Sequence, residues 1–391
     1  MIHSTFRDKQ LPLLGFGVMR LPCHADGTID EAQVAEMTAY ALAHGVNYFD
    51  TAYPYHNGES ERVIGRVLSK YPRDSFYLAT KYPGHQISST GYDPAAIFEE
   101  QLEKCGVEYF DFYLLHNVNV QSAATYLDPR WGIIDYFREQ KANGRIRHLG
   151  FSTHSELKGL EEFLDAVGDC MEFCQIQLNY LDWTLQNAKG KYQLLTDRGI
   201  PVWVMEPVRG GKLAALDAAS EAKLKAERPD ESVAAWGFRF LQALPNVKMV
   251  LSGMSNLQQM QDNVKTFTAY KHLTSEETAL LLDIAERLKD SVPCTGCRYC
   301  CDGCPMELDI PGLLGVLNEL KISPSVNSAM RVEFAPEEKK PTACIGCGQC
   351  VQICPQSIDI PKELKNLTEA MKHIPSWAET CRQREEEAKK K

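Results

Sequence analysis

The chain has 391 residues, 44% of them hydrophobic, with a net charge of −10 and 14 cysteines. The acidic balance disfavours nucleic acid or an anionic membrane as a partner, and no apolar run reaches the ~18 residues a membrane span needs. The opening MIHSTFRDKQLPLLGFG lacks the charged-then-apolar order of a signal peptide, so a cytoplasmic location is expected.

Apolar, β-branched or aromatic runs recur along the first two-thirds: LLGFGVMRL (13–21), VNYFDTA (46–52), SFYLATKY (75–82), FDFYLLH (110–116), IRHLGFS (146–152), CQIQLNY (174–180), IPVWVME (200–206) and VKMVLSG (247–253). Helical patterns such as EAQVAEMTAYALAHG, SERVIGRVLSKY and PAAIFEEQLEKCG separate them, and several stop at a glycine. Strand–helix alternation predicts a parallel sheet, and eight such units predict an α/β fold closed as a (β/α)8 TIM barrel. An open doubly wound sheet is the competing architecture, but no GxGxxG follows the first strand. Past about residue 290 the pattern changes to cysteine clusters, prolines and short helices. The expected division is a barrel over 1–285 and a small, mostly helical domain over 286–391. The terminal RQREEEAKKK reads as a solvated charge run.

Catalytic groups of such barrels stand at the C-terminal ends of the strands. Asp50 ends the second strand there, with Tyr53 and Tyr55 just after it; Lys81 ends the third and His116 the fourth. A lysine beside a tyrosine favours the phenolate, an aspartate holds the lysine, and a histidine binds or protonates an oxygen. Taken singly, Asp50 also suits a helix cap and His116 or Lys81 a structural role.

With these four in order, the chain resembles the aldo-keto reductases over roughly residues 10–270. The resemblance selects Tyr55 over Tyr53 through the family's Asp-x4-Tyr spacing. It implies an NAD(P)H-dependent oxidoreductase that interconverts an aldehyde or ketone and its alcohol. Tyr55 would be the general acid/base, Asp50 and Lys81 would tune it, and His116 would orient the substrate oxygen. The cofactor would lie along Ser152 and Thr153 of GFSTH, Gln175, Met205, and Arg209, Gly210 and Lys212. Its adenosine end would meet Gly253, Ser255, Gln259, Asp262 and Asn263 of SGMSNLQQMQDN. Thr153 stands where the family usually has Asn, and Met205 where many members have an aromatic ring. Family habit points to NADP(H), although this last segment has neither Lys nor Arg for a 2′-phosphate, so NAD(H) stays open. Trp131, Tyr92 and Tyr126 are candidates to line the substrate pocket, which would draw on loops such as YPGHQISSTGYDP.

Near the C-terminus, PCTGCRYCCDGCP and ACIGCGQCVQICP each fit C-x2-C-x2-C-x3-C-P. Structural zinc does not need two complete runs of this kind. They resemble a two-cluster ferredoxin domain, which implies two [4Fe–4S] clusters. One set would be Cys294, Cys297, Cys300 and Cys354; the other, Cys344, Cys347, Cys350 and Cys304. The spacer between the runs is longer than in compact ferredoxins and looks helical. Cys301 is read as a bystander, and Cys23, Cys105, Cys170, Cys174 and Cys381 as scattered, mostly buried thiols. The two halves together resemble bacterial reductases with an added iron–sulfur domain. That domain would serve electron relay to a ferredoxin or flavoprotein partner, docking, or stability. Two further readings have another character: a cofactor-bound sensor or docking protein like a channel β subunit, and an electron-transfer protein centred on its clusters.

Overall fold

The structure is a computed structural model that describes residues 1–84, 92–322, 326–380 and 382. The expected thiol Cys381 and most of the loop after Lys81 lie outside these residues. The chain divides into two compact units, Met1–Asp283 and Ile284–Lys391.

The first unit opens with an antiparallel hairpin, β1 (His3–Phe6) and β2 (Lys9–Pro12), turned at Arg7 with φ 52°. The sequence pattern had not marked it. Eight parallel strands follow: β3 (Leu14–Gly17), β4 (Tyr48–Asp50), β5 (Tyr77–Tyr82), β6 (Phe110–Val118), β7 (Ile146–Thr153), β8 (Cys174–Gln177), β9 (Val202–Met205) and β10 (Val247–Ser252). They close as β10-β3-β4-β5-β6-β7-β8-β9, so each expected run carries a barrel strand and the open sheet is excluded. Most positions along these strands are buried, as parallel strands covered by helices must be.

The helices between them begin and end on ordinary signals. Asp93 accepts from Ala96 N ahead of Pro94, and the same helix stops at Gly106 with φ 64°. Inside the barrel Phe6 of the hairpin meets Trp203, Phe112 and Phe173 at ring separations of 5.0, 5.8 and 6.3 Å. Phe6 is 2% exposed, and burial of such a side chain contributes about 1.5–3 kcal/mol. Beside it, Glu172 binds His148 at 2.9 Å, Arg7 at 2.8 Å, and Lys141.

The second unit contains helices and turns and no strand among its described residues. Helices Ile310–Ile322 and Ile360–Met371 pack on each other, and Leu313, Leu314, Leu317, Ile360, Leu364 and Leu367 belong to one core. Asn318 pins the entering chain by bonding both Val292 N (2.6 Å) and Val292 O (2.9 Å). Among the described residues no helix is long and apolar enough to cross a membrane.

Candidate functional site

β4 ends at Asp50, and the chain then turns through Tyr55–Gly58. His56 and Asn57 hold positive φ values of 51° and 55°, a conformation that costs a non-glycine residue roughly 1–2 kcal/mol. The backbone N–H of Leu21 holds the turn by donating to His56 Nε2 at 3.2 Å. Tyr55 is thereby brought back over the barrel end, 8% exposed.

Lys81 on β5 is fully buried. Its Nζ donates to Asp50 Oδ1 at 2.5 Å and to Thr51 O at 2.6 Å, and lies 5.1 Å from the Tyr55 ring centre. The His116 ring on β6 stands edge-on to Tyr55, centroids 5.9 Å apart. The four residues from three neighbouring strand ends therefore meet. Burial pushes the Lys81 ammonium down and the Asp50 carboxyl up, and each partner's opposite charge resists the shift.

Further residues hold this group in place. Tyr126, 1% exposed, donates to His116 O at 2.6 Å and is 3.1 Å from Tyr82 O, tying β5 to β6. It is a brace for the strand ends rather than a free pocket wall. A Cβ on Gly84 would lie 2.5 Å from its ring, so only glycine fits there. Thr80 and Gln101 both donate to the buried Glu61 at 2.6 Å, and Gln101 also reaches Lys81 O at 3.1 Å. Glu61 lies on the helix Glu59–Leu68, three and seven positions before Ile64 and Leu68, at the edge of its apolar stripe. Trp131 and Tyr92 pack edge to face at 5.2 Å.

The residues expected at the cofactor occupy the remaining strand ends, with uneven availability. Ser152 Oγ accepts from Asn117 N at 2.8 Å. Thr153 Oγ1 donates to Val118 O at 2.6 Å and accepts from Ser155 N at 2.9 Å, so its hydroxyl is engaged with backbone. Gln175 is 3% exposed, and its buried Oε1 has no hydrogen-bond partner among the described residues. Met205, half-buried, ends β9. Arg209 does not stand open beside the glycines. It is 1% exposed and meets Asp182 through Nε and Nη2, each at 3.2 Å. Gln177 and Asn179 donate to the same carboxylate at 2.7 Å. Gly210 (φ 64°) and the half-buried Lys212 follow in this loop. Glu206 reaches across to Arg20 at 3.1 Å.

At the end of β10, Gly253 approaches the Arg20 side chain. Gln259 Oε1 accepts from Ser255 N at 2.8 Å. Asp262 turns to Ser232 Oγ at 2.5 Å and Asn263 to Ser252 Oγ at 3.0 Å. Both side chains tie neighbouring elements together.

In the second unit, one cavity is lined by Cys294, Cys297, Cys300 and Cys354, and another by Cys304, Cys344, Cys347 and Cys350. Among the described residues no three His, Cys, Asp or Glu side chains are placed to hold a metal ion between them. Each quartet rings a cavity instead of converging on one point. Cys301 belongs to neither lining and packs on the core. Of the scattered thiols, Cys105 and Cys174 are buried, Cys170 is half-buried and Cys23 is exposed.

Residues 13–286 match the aldo/keto reductase family. The chain belongs to that family. Residues 293–358 match a 4Fe-4S dicluster domain. An uncharacterized oxidoreductase of Bacillus subtilis, YqkF, is 26% identical over 305 residues, 70% of this chain and 92% of that protein. The NADH-specific methylglyoxal reductase of Escherichia coli is 28% identical over 204 residues, 48% of this chain and 60% of its own length. Among solved structures, an aldo-keto reductase from Bacillus halodurans in its holo form shares 26% identity at a TM-score of 0.59, covering 73% of this chain and 96% of that one. An aldo/keto reductase from Klebsiella pneumoniae, in complex with NADP and acetate, shares the fold at 20% identity and TM-score 0.59, over 72% and 95% of the two chains.

Proposed function

We propose that this aldo/keto reductase reduces a carbonyl compound to its alcohol, or runs the reverse, with Tyr55 as the proton donor. The observation that carries the reading is the buried Lys81 ammonium, bound to Asp50 at 2.5 Å and 5.1 Å from the Tyr55 ring. A cation so near a phenol stabilises the phenolate left after proton transfer. Asp50 and Thr51 O direct the cation. His116, edge-on to Tyr55, lies beside the place where a substrate oxygen must sit to take the proton. The proton passes from Tyr55 Oη to that oxygen, and back again when an alcohol is oxidised.

A nicotinamide suits the rim. The unpartnered Gln175 Oε1 is a buried acceptor able to take an amide N–H, and Ser152 stands on the neighbouring strand β7 with its oxygen already placed by Asn117. Met205 offers a polarizable face, Gly210 and Lys212 an anion-tolerant loop, and the segment from Gly253 to Asn263 a helix start. Arg209 holds this loop's shape through Asp182. When bound, the cofactor supplies hydride to the carbonyl carbon.

For the second unit we propose two [4Fe–4S] clusters, one per cysteine quartet. Support comes from the two cavities, each lined by three cysteines of one run and the last of the other. Thiolates spread around a cavity suit a multi-iron cluster, which is wider than a single ion. Nicotinamide moves electrons in pairs and a cluster one at a time, so the reading assigns the clusters to holding this unit together. A cytoplasmic setting suits such clusters.

Tyr55→Phe tests the reading. The variant should bind NADPH as wild type does and lose carbonyl reduction across a panel of aldehydes, ketones and quinones. Equal turnover in the variant would refute Tyr55 as the acid.

A further inference from the structure

The two cysteine runs repeat with an offset of fifty positions, from Cys294–Pro311 to Cys344–Pro361. Matching positions are covered differently. In the first run Cys294 and Cys300 are each 8% exposed and Thr295 5%. In the second, Ile345 at the place of Thr295 is 64% exposed, and Cys347 at the place of Cys297 is exposed where Cys297 is half-buried. An apolar residue left open beside a polar one buried reverses the usual preference.

The position after each second cysteine explains part of this. Arg298 lines the first cavity, and its Nη1 is clamped by Asp309 Oδ1 at 2.9 Å. The second run has Gly348 there, with nothing within 4 Å of where its Cβ would be. Both residues hold the same left-handed backbone, φ 68° and 78°. The backbone path is thus shared, and the first run adds a side chain to its cavity lining at the position where the second has none.

We propose that the two cluster sites are unequal in access, and that the site ringed by Cys304, Cys344, Cys347 and Cys350 is where external oxidants act and iron leaves first. This rests on the reading that each quartet holds a [4Fe–4S] cluster. Solvent access to a cluster is set by the shell around it, and here that shell is thinner on the second run. The chemistry balances with ferricyanide as oxidant. One electron passes from a [4Fe–4S]2+ cluster to ferricyanide, giving ferrocyanide and [4Fe–4S]3+. That species releases one Fe2+ to a chelator and leaves [3Fe–4S]+.

The test uses full-length holoprotein prepared without oxygen. It is treated with ferricyanide and a ferrous chelator. Samples taken over time receive a saturating pulse of alkylating reagent, and the modified cysteines are mapped by peptide mass spectrometry. Iron should leave in two phases, and the cysteine labelled during the first, the ligand of the iron released, should belong to the quartet Cys304, Cys344, Cys347 and Cys350. Gly348→Arg should slow that phase several-fold, and Arg298→Gly should speed labelling of Cys294, Cys297, Cys300 and Cys354 by a similar factor. Equal rates for both quartets, or earlier labelling of the first, would overturn the proposal, and the wild-type measurement decides this even if a variant fails to fold. If the untreated protein lacks acid-labile sulfide and all eight cysteines label at once, the two-cluster reading itself fails.

Discussion

Replacing Lys81 by Met separates the charge at the proposed active site from the fold around it. With the ammonium 5.1 Å from the centre of the Tyr55 ring, Coulomb's law at an effective dielectric of about 20 gives about 3 kcal/mol of phenolate stabilisation. At 1.36 kcal/mol per tenfold, that is a loss of about two orders of magnitude in turnover. The substitution also strands Asp50, 3% exposed, and breaking a buried pair by removing one partner costs about 3–5 kcal/mol of stability. The double variant Asp50→Asn/Lys81→Met removes both charges and should regain much of that stability without regaining turnover. Steady-state reduction of a carbonyl panel, NADPH binding by fluorescence and urea unfolding read the three quantities separately. A Lys81→Met enzyme that folds and turns over close to wild type would refute the electrostatic role. Activity restored in the double variant would show that Lys81 matters only through stability.

Other outcomes follow from the same geometry. Glu172 is partly desolvated, which alone would raise its pKa, yet its bonds to His148 and Lys141 outweigh this and hold it at about 2, below the model-compound 4.5. A depressed carboxyl stabilises the fold above its unfolded pKa, and that contribution fades as pH falls from 4.5 toward 2. Glu172→Gln should therefore lower stability at pH 7 and flatten its acid dependence in that window; urea midpoints at neutral and acid pH that fall in parallel with wild type would contradict this. Gly65→Ala would set a Cβ 2.7 Å from the backbone carbonyls of Lys104 and Cys105. The overpacking should cost about 1–3 kcal/mol and outweigh the ~1 kcal/mol or less gained in helix propensity, so thermal unfolding should fall; a raised midpoint would show that the two helices can part. Because segment 252–263 has no Lys or Arg, the preference for NADPH over NADH should be small, and a strong preference in parallel titrations would place a 2′-phosphate contact elsewhere.

The eight strands were legible because parallel strands buried on both faces leave continuous apolar runs, and three of the four proposed tetrad residues stood out because they lie at or near strand ends, whereas Tyr55, in the turn after β4, needed the family spacing. The cysteine runs were equally plain, since short gaps of fixed length are a local property. Other features depend on which distant residues meet. The hairpin that plugs the barrel with Phe6 is too short and mixed to announce itself. Arg209 looked like an open cation because Asp182, 27 positions away, is its partner only once β8 and β9 are side by side. Thr153 looked free until Val118 O was brought within 2.6 Å of it. Composition and spacing determined the fold class and the eight candidate ligands, and with the family resemblance they marked out the proposed tetrad. Tertiary packing decided which polar groups stay available, which become braces, and which cysteines share a cavity, because hydrogen bonds and burial belong to pairs of residues that the linear order keeps apart.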